Sequence, residues 1–246
     1  MMSTLNKHVK WRVDKLDILV CDCKRMIDLK LPFKYKKFID KLTKGIEKER
    51  LGLEERKIFL DFEKMRLVSN LEIREIKTNE FDNAIKIMDN ELGKDRVRGK
   101  EFLYKKFEEY PEFFIGIFLD NEIVGVICGF PRDNYLLLSE LAVALPFQNR
   151  GFGGKLVKKF EEVAKDKYKK INVGADDKSI YFYESLNYKP FLLIQFKKDD
   201  YFKKDFHNLD IIREYEFDGE NMAIEVRIKN PDLKLLNKLR KKYPKA

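Results

Sequence analysis

The sequence predicts an α/β chain of layered, α+β type, and three observations carry that prediction. From about Leu71 onward, alternating apolar runs and amphipathic stripes succeed one another in the order βααβββαβαβ. Two of the runs, Phe113 to Leu119 and Ile123 to Phe130, flank Asp120-Asn121, residue types suited to a two-residue hairpin turn. A third run, Tyr135 to Leu145, leads into Gly151, Gly153 and Gly154, after which Leu156, Val157, Phe160, Val163 and Ala164 mark one helical face.

Taken in order, residues 1–68 read as helical. Val9, Val13, Leu16, Val20, Cys23 and Ile27 recur at spacings of four and three and make one apolar stripe. Leu31-Pro32 ends it, because a residue before proline avoids helical dihedrals. Phe38, Leu42 and Ile46 form a second stripe, broken near Gly52, and Ile58, Phe59, Phe62 and Met65 a third. Leu71, Ile73 and Ile76 suggest a strand. Phe81 to Leu92 reads as a helix ending near Gly93, and Lys100 to Tyr110 as another, stopped by Pro111. Beyond the glycine turn come a short strand at Lys170 to Val173, a short helix at Ser179 to Leu186 and a strand at Pro190 to Lys197. In the tail, Ile211 to Phe217 and Met222 to Ile228 flank Asp218-Gly219, a hairpin signal, and Asn230-Pro231 opens a terminal helix to about Tyr243. The expected organisation is a helical N-terminal extension (1–69), a catalytic-sized domain (70–197), and a C-terminal hairpin and helix (198–246) that complete or extend the sheet.

Composition narrows the function classes. Hydrophobic residues are 44% and charged residues 38%, enough apolar material for a real core. No apolar run nears the roughly 18 residues that span a bilayer. The N-terminal candidate Leu16 to Cys23 is interrupted by Asp17 and Asp22, so neither a signal peptide nor an anchor is expected and the cytoplasm is the expected compartment. Cys21, Cys23 and Cys128 are too few for a disulfide framework, and with only His8 and His207 beside them no metal site is expected. The formal charge of +9 lies at the ends. Residues 1–70 hold 18 Lys and Arg against 11 Asp and Glu, residues 71–190 hold 20 against 21, and residues 191–246 hold 13 against 10. A basic end can attract nucleic acid, but the charges are mixed rather than blocked and carry no interleaved aromatic pattern. Gln148 and Gln195 are the only glutamines, and few amides among many Lys and Glu give a thermophile-like composition.

The chemistry concentrates in the stretch from Leu141 to Lys155. A strand enters a glycine-rich turn that opens an amphipathic helix, a good seat for a pyrophosphate: backbone N–H groups converge there and the helix start is partly positive. A P-loop is excluded because Leu156 follows Gly154-Lys155, and a Rossmann fingerprint because Leu156 stands where its third glycine belongs. On the glycines alone, a turn without a ligand is an equal reading. Gln148-Asn149-Arg150-Gly151-Phe152-Gly153 resembles the Gln/Arg-x-x-Gly-x-Gly/Ala signature of the GCN5-related N-acetyltransferase (GNAT) superfamily. Glu140-Leu141-Ala142-Val143 resembles that family's fourth strand, and Ser179 to Tyr188 its Ala-x-x-Phe-Tyr-Glu-x-Leu-Gly-Phe segment, with Asn187 for glycine and Tyr188 for phenylalanine. The resemblance covers roughly residues 71–197.

That resemblance implies the GNAT acyl-CoA N-acyltransferase fold, a mixed, mostly antiparallel sheet flanked by helices, and acetyl-CoA as acyl donor. It implies that the backbone from Gln148 and Asn149 through Arg150, Gly151, Phe152, Gly153 and Gly154 holds the pyrophosphate. Leu141, Ala142 and Val143, on a bulged strand, would hold the pantetheine arm and thioester carbonyl. It further implies Tyr183 as the acid that protonates the leaving thiolate. The aromatic cluster Tyr181, Phe182, Tyr183 and Tyr188 also reads as plain core. Glu140 is a candidate base for the amine, on a strand face that a bulge would reset. Asp176 and Asp177 read as a cap for the Ser179 helix or as ligand contacts, and Lys94, Arg96, Arg98 and Lys100 as a basic loop that is either solvated or reads an acidic acceptor. The expected partner is a primary amine on a small molecule or protein. A homodimer, an acyl-CoA-sensing module without catalysis and a nucleic-acid-linked enzyme stay open as alternatives.

Overall fold

The computed structural model describes residues 2–94, 98–132, 135–175 and 179–189, together with the backbone of 191–197, 210–217 and 221–229. The chain divides into two compact units, Met1–Gly174 and Ala175–Ala246. Among the described residues no helix is long and apolar enough to cross a membrane.

The first unit opens on β1 (Met2–Leu5). β2 (Val9–Asp14), β3 (Asp17–Asp22) and β4 (Ile27–Pro32) follow as a three-stranded antiparallel sheet. Then come α1 (Lys36–Lys44), β5 (Ile46–Glu47), α2 (Leu53–Lys64) and β6 (Val68–Glu75). The helical expectation for residues 1–68 is therefore wrong up to Pro32 and right only for α1 and α2. The apolar stripe was an accident of spacing. Val13 and Leu16 are 41% and 81% exposed, whereas Val9, Ile18 and Val20 are buried, and β3 alternates half-buried and buried along its whole length. Short β-branched runs fit both periods, and here the period of two wins because Lys15, at φ +55°, turns the chain back on itself. Cys21 lies in β3 and Cys23 in the turn that follows it, and their sulfurs lie 3.9 Å apart, a proximity the helical reading excluded. A hydrogen bond with Asp28, helped by local desolvation, pushes the Cys21 thiol up to about 12.

From β6 onward the elements follow the sequence closely. α3 (Phe81–Leu92) ends at Gly93, whose φ of +88° suits only glycine well, and α4 (Lys100–Glu109) runs to Tyr110 before Pro111. β7 (Phe114–Leu119) and β8 (Glu122–Arg132) form the expected hairpin, with Asp120 and Asn121 both at positive φ. β9 (Tyr135–Val143), α5 (Phe152–Ala164) and β10 (Ile171–Val173) complete the unit. The sheet order is β10-β9-β8-β7-β6-β1-β5, antiparallel throughout except for the parallel β9–β10 pair. This is the mixed, mostly antiparallel sheet flanked by helices that the resemblance implied. β1 and β5 belong to the same sheet, so the N-terminal segment supplies two of its seven strands.

Register and packing assign the two faces. Val126 pairs with Ala142 and Cys128 with Glu140, and directly paired residues share a face. Val126, Cys128 and Ala142 pack in one cluster with Phe81, Ala84 and Met88 of α3 and Leu103 and Phe107 of α4. On the opposite face a Cβ on Gly129, the residue paired with Leu138, would stand 2.5 Å from Phe160 Cζ of α5. Between these pairs β9 advances two residues while β8 advances one, so Ser139 is the extra residue of a β-bulge.

In the second unit α6 (Ile180–Ser185) is followed by β11 (Phe191–Lys197), β12 (Asp210–Phe217) and β13 (Asn221–Lys229). β12 and β13 pair antiparallel, as a hairpin should, although Asp218-Gly219 lie outside the described residues. β13 also pairs with β11, giving a separate three-stranded sheet, β11-β13-β12, instead of further strands on the seven-stranded one. The terminal helix expected from Asn230 lies outside the described residues.

Candidate active site

The site begins where β9 loses its outer neighbour. β10 pairs with Leu136, Leu137 and Leu138, so among the described residues no strand pairs with the outer edge of β9 along residues 139–143. The bulge sits at the start of that open edge. It resets the alternation, so that Leu138 faces α5 while Glu140 and Ala142 face α3 and α4. This settles the face of Glu140, which the sequence left undecided. The Glu140 side chain is 10% exposed, and Arg98, in the α3–α4 connection, brings a guanidinium nitrogen within 3.7 Å of it. Arg98 also lies 5.4 Å from the Phe130 ring centre, and Phe102 meets Phe130 edge to face. Lys100, two residues on, instead pairs with Asp82 at 2.8 Å. Arg96 lies outside the described residues, as do Asp176 and Asp177. Ser139 Oγ is buried and, among the described residues, has no hydrogen-bond partner.

After β9, a short turn of 3-10 helix at Leu145–Phe147 leads to the glycine-rich loop. Asn149 and Gly151 adopt left-handed φ of +61° and +76°, and Gly151 is the residue from which α5 starts. Among the described residues no side chain caps that helix. Its first N–H groups, on Phe152, Gly153 and Gly154, have no intrahelical acceptor by geometry. The first backbone bond across the start is Lys155 N–H to Gly151 O, at 3.2 Å. Among the described residues a Cβ on Gly151 would meet only Lys44 Cγ, at 3.9 Å, which leaves room at the turn.

Two side chains of the signature hold the loop in place. Gln148 Nε2 donates to Glu91 Oε2 and to Val143 O, both at 2.9 Å, while Glu91 Oε1 accepts the Leu145 N–H at 3.0 Å. The end of α3 is thus laced to both sides of the turn. Arg150 is 7% exposed and Nη1 donates to Leu5 O of β1 at 3.0 Å, with its guanidinium 5.4 Å from the Phe147 ring. Burial pushes the Arg150 pKa down. Phe152 is buried and stacks on Phe147, so its side chain belongs to the core and only its backbone faces the turn. The sequence did not reveal Glu91, Ser139 or the Leu5 carbonyl, since no local pattern marks a long-range hydrogen-bond partner.

Residues 74–188 match the model of the Acetyltransferase (GNAT) family. This stretch is a GNAT domain. Members of the family use acetyl-CoA as acyl donor. No curated protein matches the chain. Among solved structures, Ard1 from Thermoplasma volcanium is similar at 16% identity, covering 66% of this chain and 99% of its own, with a TM-score of 0.43. A GNAT family acetyltransferase from Elizabethkingia anophelis with acetyl-CoA bound is 21% identical over 65% of this chain and 98% of its own, with a TM-score of 0.39. The aminoglycoside acetyltransferase meta-AAC0020, from an uncultured soil metagenomic sample and in complex with sisomicin, is 20% identical over 48% of this chain and 85% of its own, with a TM-score of 0.38.

The GNAT domain's own features fit an acyl-CoA. The uncapped N–H groups of α5 and the open Gly151 turn suit a diphosphate, and the open edge of β9, beside the orphaned Ser139 hydroxyl, suits an extended arm with amide groups. Of the residues expected from sequence, the structure brings Glu140, Leu141, Ala142 and Val143 together with the loop Gln148 to Gly154 in the first unit. Tyr183 belongs to the second unit. It is 8% exposed there, edge to face with Phe182 and Tyr188 at 5.0 and 5.6 Å between ring centres.

Proposed function

We propose that this protein transfers acetyl from acetyl-CoA to a primary amine by direct attack in a ternary complex. The observation that carries the reading is the uncapped, left-handed start of α5 at Gly151 beside the open edge of a bulged β9, within a GNAT domain.

Bound acetyl-CoA supplies an activated thioester carbonyl. The chain's part is to bind, orient and move protons. Backbone N–H groups from Asn149 to Gly154 hold the diphosphate. The open edge of Leu141, Ala142 and Val143 holds the arm and aims a backbone N–H at the carbonyl oxygen, where negative charge grows during attack. Glu140, on the α3–α4 face and paired with Arg98, accepts the proton that the amine must lose, directly or through one water. Tyr183 gives the departing sulfur its proton, an assignment supported by its place in the Phe-Tyr-Glu block. Holding donor and acceptor together accounts for much of the acceleration.

Titration calorimetry with acetyl-CoA, on the wild type and on Gly151→Glu, tests the reading. Saturable one-to-one binding that the variant loses is expected, followed by thiol release with some member of an amine panel. Binding without thiol release from any amine would favour an acyl-CoA sensor. No binding by a folded wild type would end the proposal.

A further inference from the structure

Residues 1–47 precede the matched GNAT segment, yet they build one side of its diphosphate turn. Arg150 reaches into β1 to donate to Leu5 O. A Cβ on Gly151 would touch Lys44 at the end of α1, and a Cβ on Gly45 would stand 3.7 Å from Lys155 Cε in the first turns of α5. Glu47 of β5 also attracts Lys155 electrostatically. One hydrogen bond, two close approaches and one electrostatic attraction therefore join the N-terminal segment to the turn and the first residues of α5.

The distribution of charge around the turn is uneven. Arg150, the cation inside the signature, is buried and committed to a backbone carbonyl. Lys155 is half-buried, and burial together with Lys158 pushes its pKa down. Lys44 is exposed, its Cγ lies beside Gly151, and among the described residues it forms no ion pair. Its ammonium lies three bonds beyond that Cγ on a flexible stem, within reach of a group seated on the helix start.

We infer that the N-terminal segment completes the donor site, and that Lys44 is a ligand of the diphosphate seated at the start of α5. The inference rests on acetyl-CoA being the donor. It gives the first strands and α1 a role in donor binding: they lock the turn through Leu5 and supply the mobile cation that the signature's own arginine does not.

The test is titration calorimetry on the full chain at low salt, comparing wild type, Lys44→Ala and Lys105→Ala with CoA and with 3′-dephospho-CoA. Lys105 is an exposed lysine on α4, across the sheet from α5, and controls for net charge. Lys44→Ala is expected to bind both ligands about five- to tenfold more weakly, with a shallower salt dependence, while Lys105→Ala matches the wild type. Lys44→Ala binding both ligands like the wild type, with its melting temperature unchanged, overturns the inference and leaves the donor reading standing. A loss seen with CoA but absent with 3′-dephospho-CoA overturns it too, because the lysine would then serve the 3′-phosphate. A wild type that binds neither ligand removes the donor reading and this inference with it.

Discussion

Arg150 offers the sharpest separation of what the signature does from what it resembles. The sequence places it among cofactor ligands, but the structure turns its guanidinium inward, to Leu5 O at 3.0 Å and against the Phe147 ring. Arg150→Met keeps most of the apolar stem of the side chain, shortens it by the guanidinium head, and removes the donor and the charge. A hydrogen bond from a charged donor contributes about 1.5–3 kcal/mol, and a cation over an aromatic ring about 0.5–1 kcal/mol. Relief from burying a guanidinium offsets part of that, leaving a net loss of about 2 kcal/mol. At roughly 2–4 °C per kcal/mol for a chain of this size, melting should fall by about 4–8 °C. Urea unfolding and calorimetric melting, alongside a CoA titration, check this. Stability should drop while affinity falls only modestly, through a looser turn. A variant as stable as the wild type that no longer binds CoA would refute the reasoning, since the guanidinium would then be a phosphate ligand.

The bulge region is equally exposed to test. Gly129→Ala places a Cβ 2.4 Å from the Leu137 carbonyl oxygen and 2.5 Å from Phe160 Cζ, so it should cost about 1–3 kcal/mol in urea unfolding through overpacking. Arg74, hydrogen-bonded to both Glu80 oxygens, holds the Glu80 carboxyl down at about 2 against its usual 4.5. A depressed carboxylate stabilises the fold above its unfolded value. That contribution should therefore fade as pH falls from 4.5 toward 2, and Glu80→Gln should flatten the urea midpoint across that window. Tyr183→Phe should lower kcat about a hundredfold with donor affinity unchanged, and a normal kcat would leave Tyr183 as core only.

Much of the molecule was legible in the chain. From β6 to β10 the elements fall where alternation, the Asp120-Asn121 turn, Gly93 and Pro111 put them, because each is set by residues close together in sequence. The glycine turn was legible for the same reason: positive φ at Asn149 and Gly151 is a local demand on residue type. The first 32 residues misled because a few valines and isoleucines satisfy a helical and a strand period at once, and burial decides between them.

By itself, then, the sequence determined the order of elements in the GNAT domain and the glycine-rich turn that opens α5. Only the tertiary structure decided that Ser139 bulges and sends Glu140 to the α3–α4 face, that Gln148 answers to Glu91, and that Arg150 is spent on Leu5. It also decided that β1 and β5 join the seven-stranded sheet and bring Lys44 to the turn. These facts depend on partners distant in the chain, and hydrogen-bond satisfaction and strand register across such distances leave no periodic trace in the residues themselves.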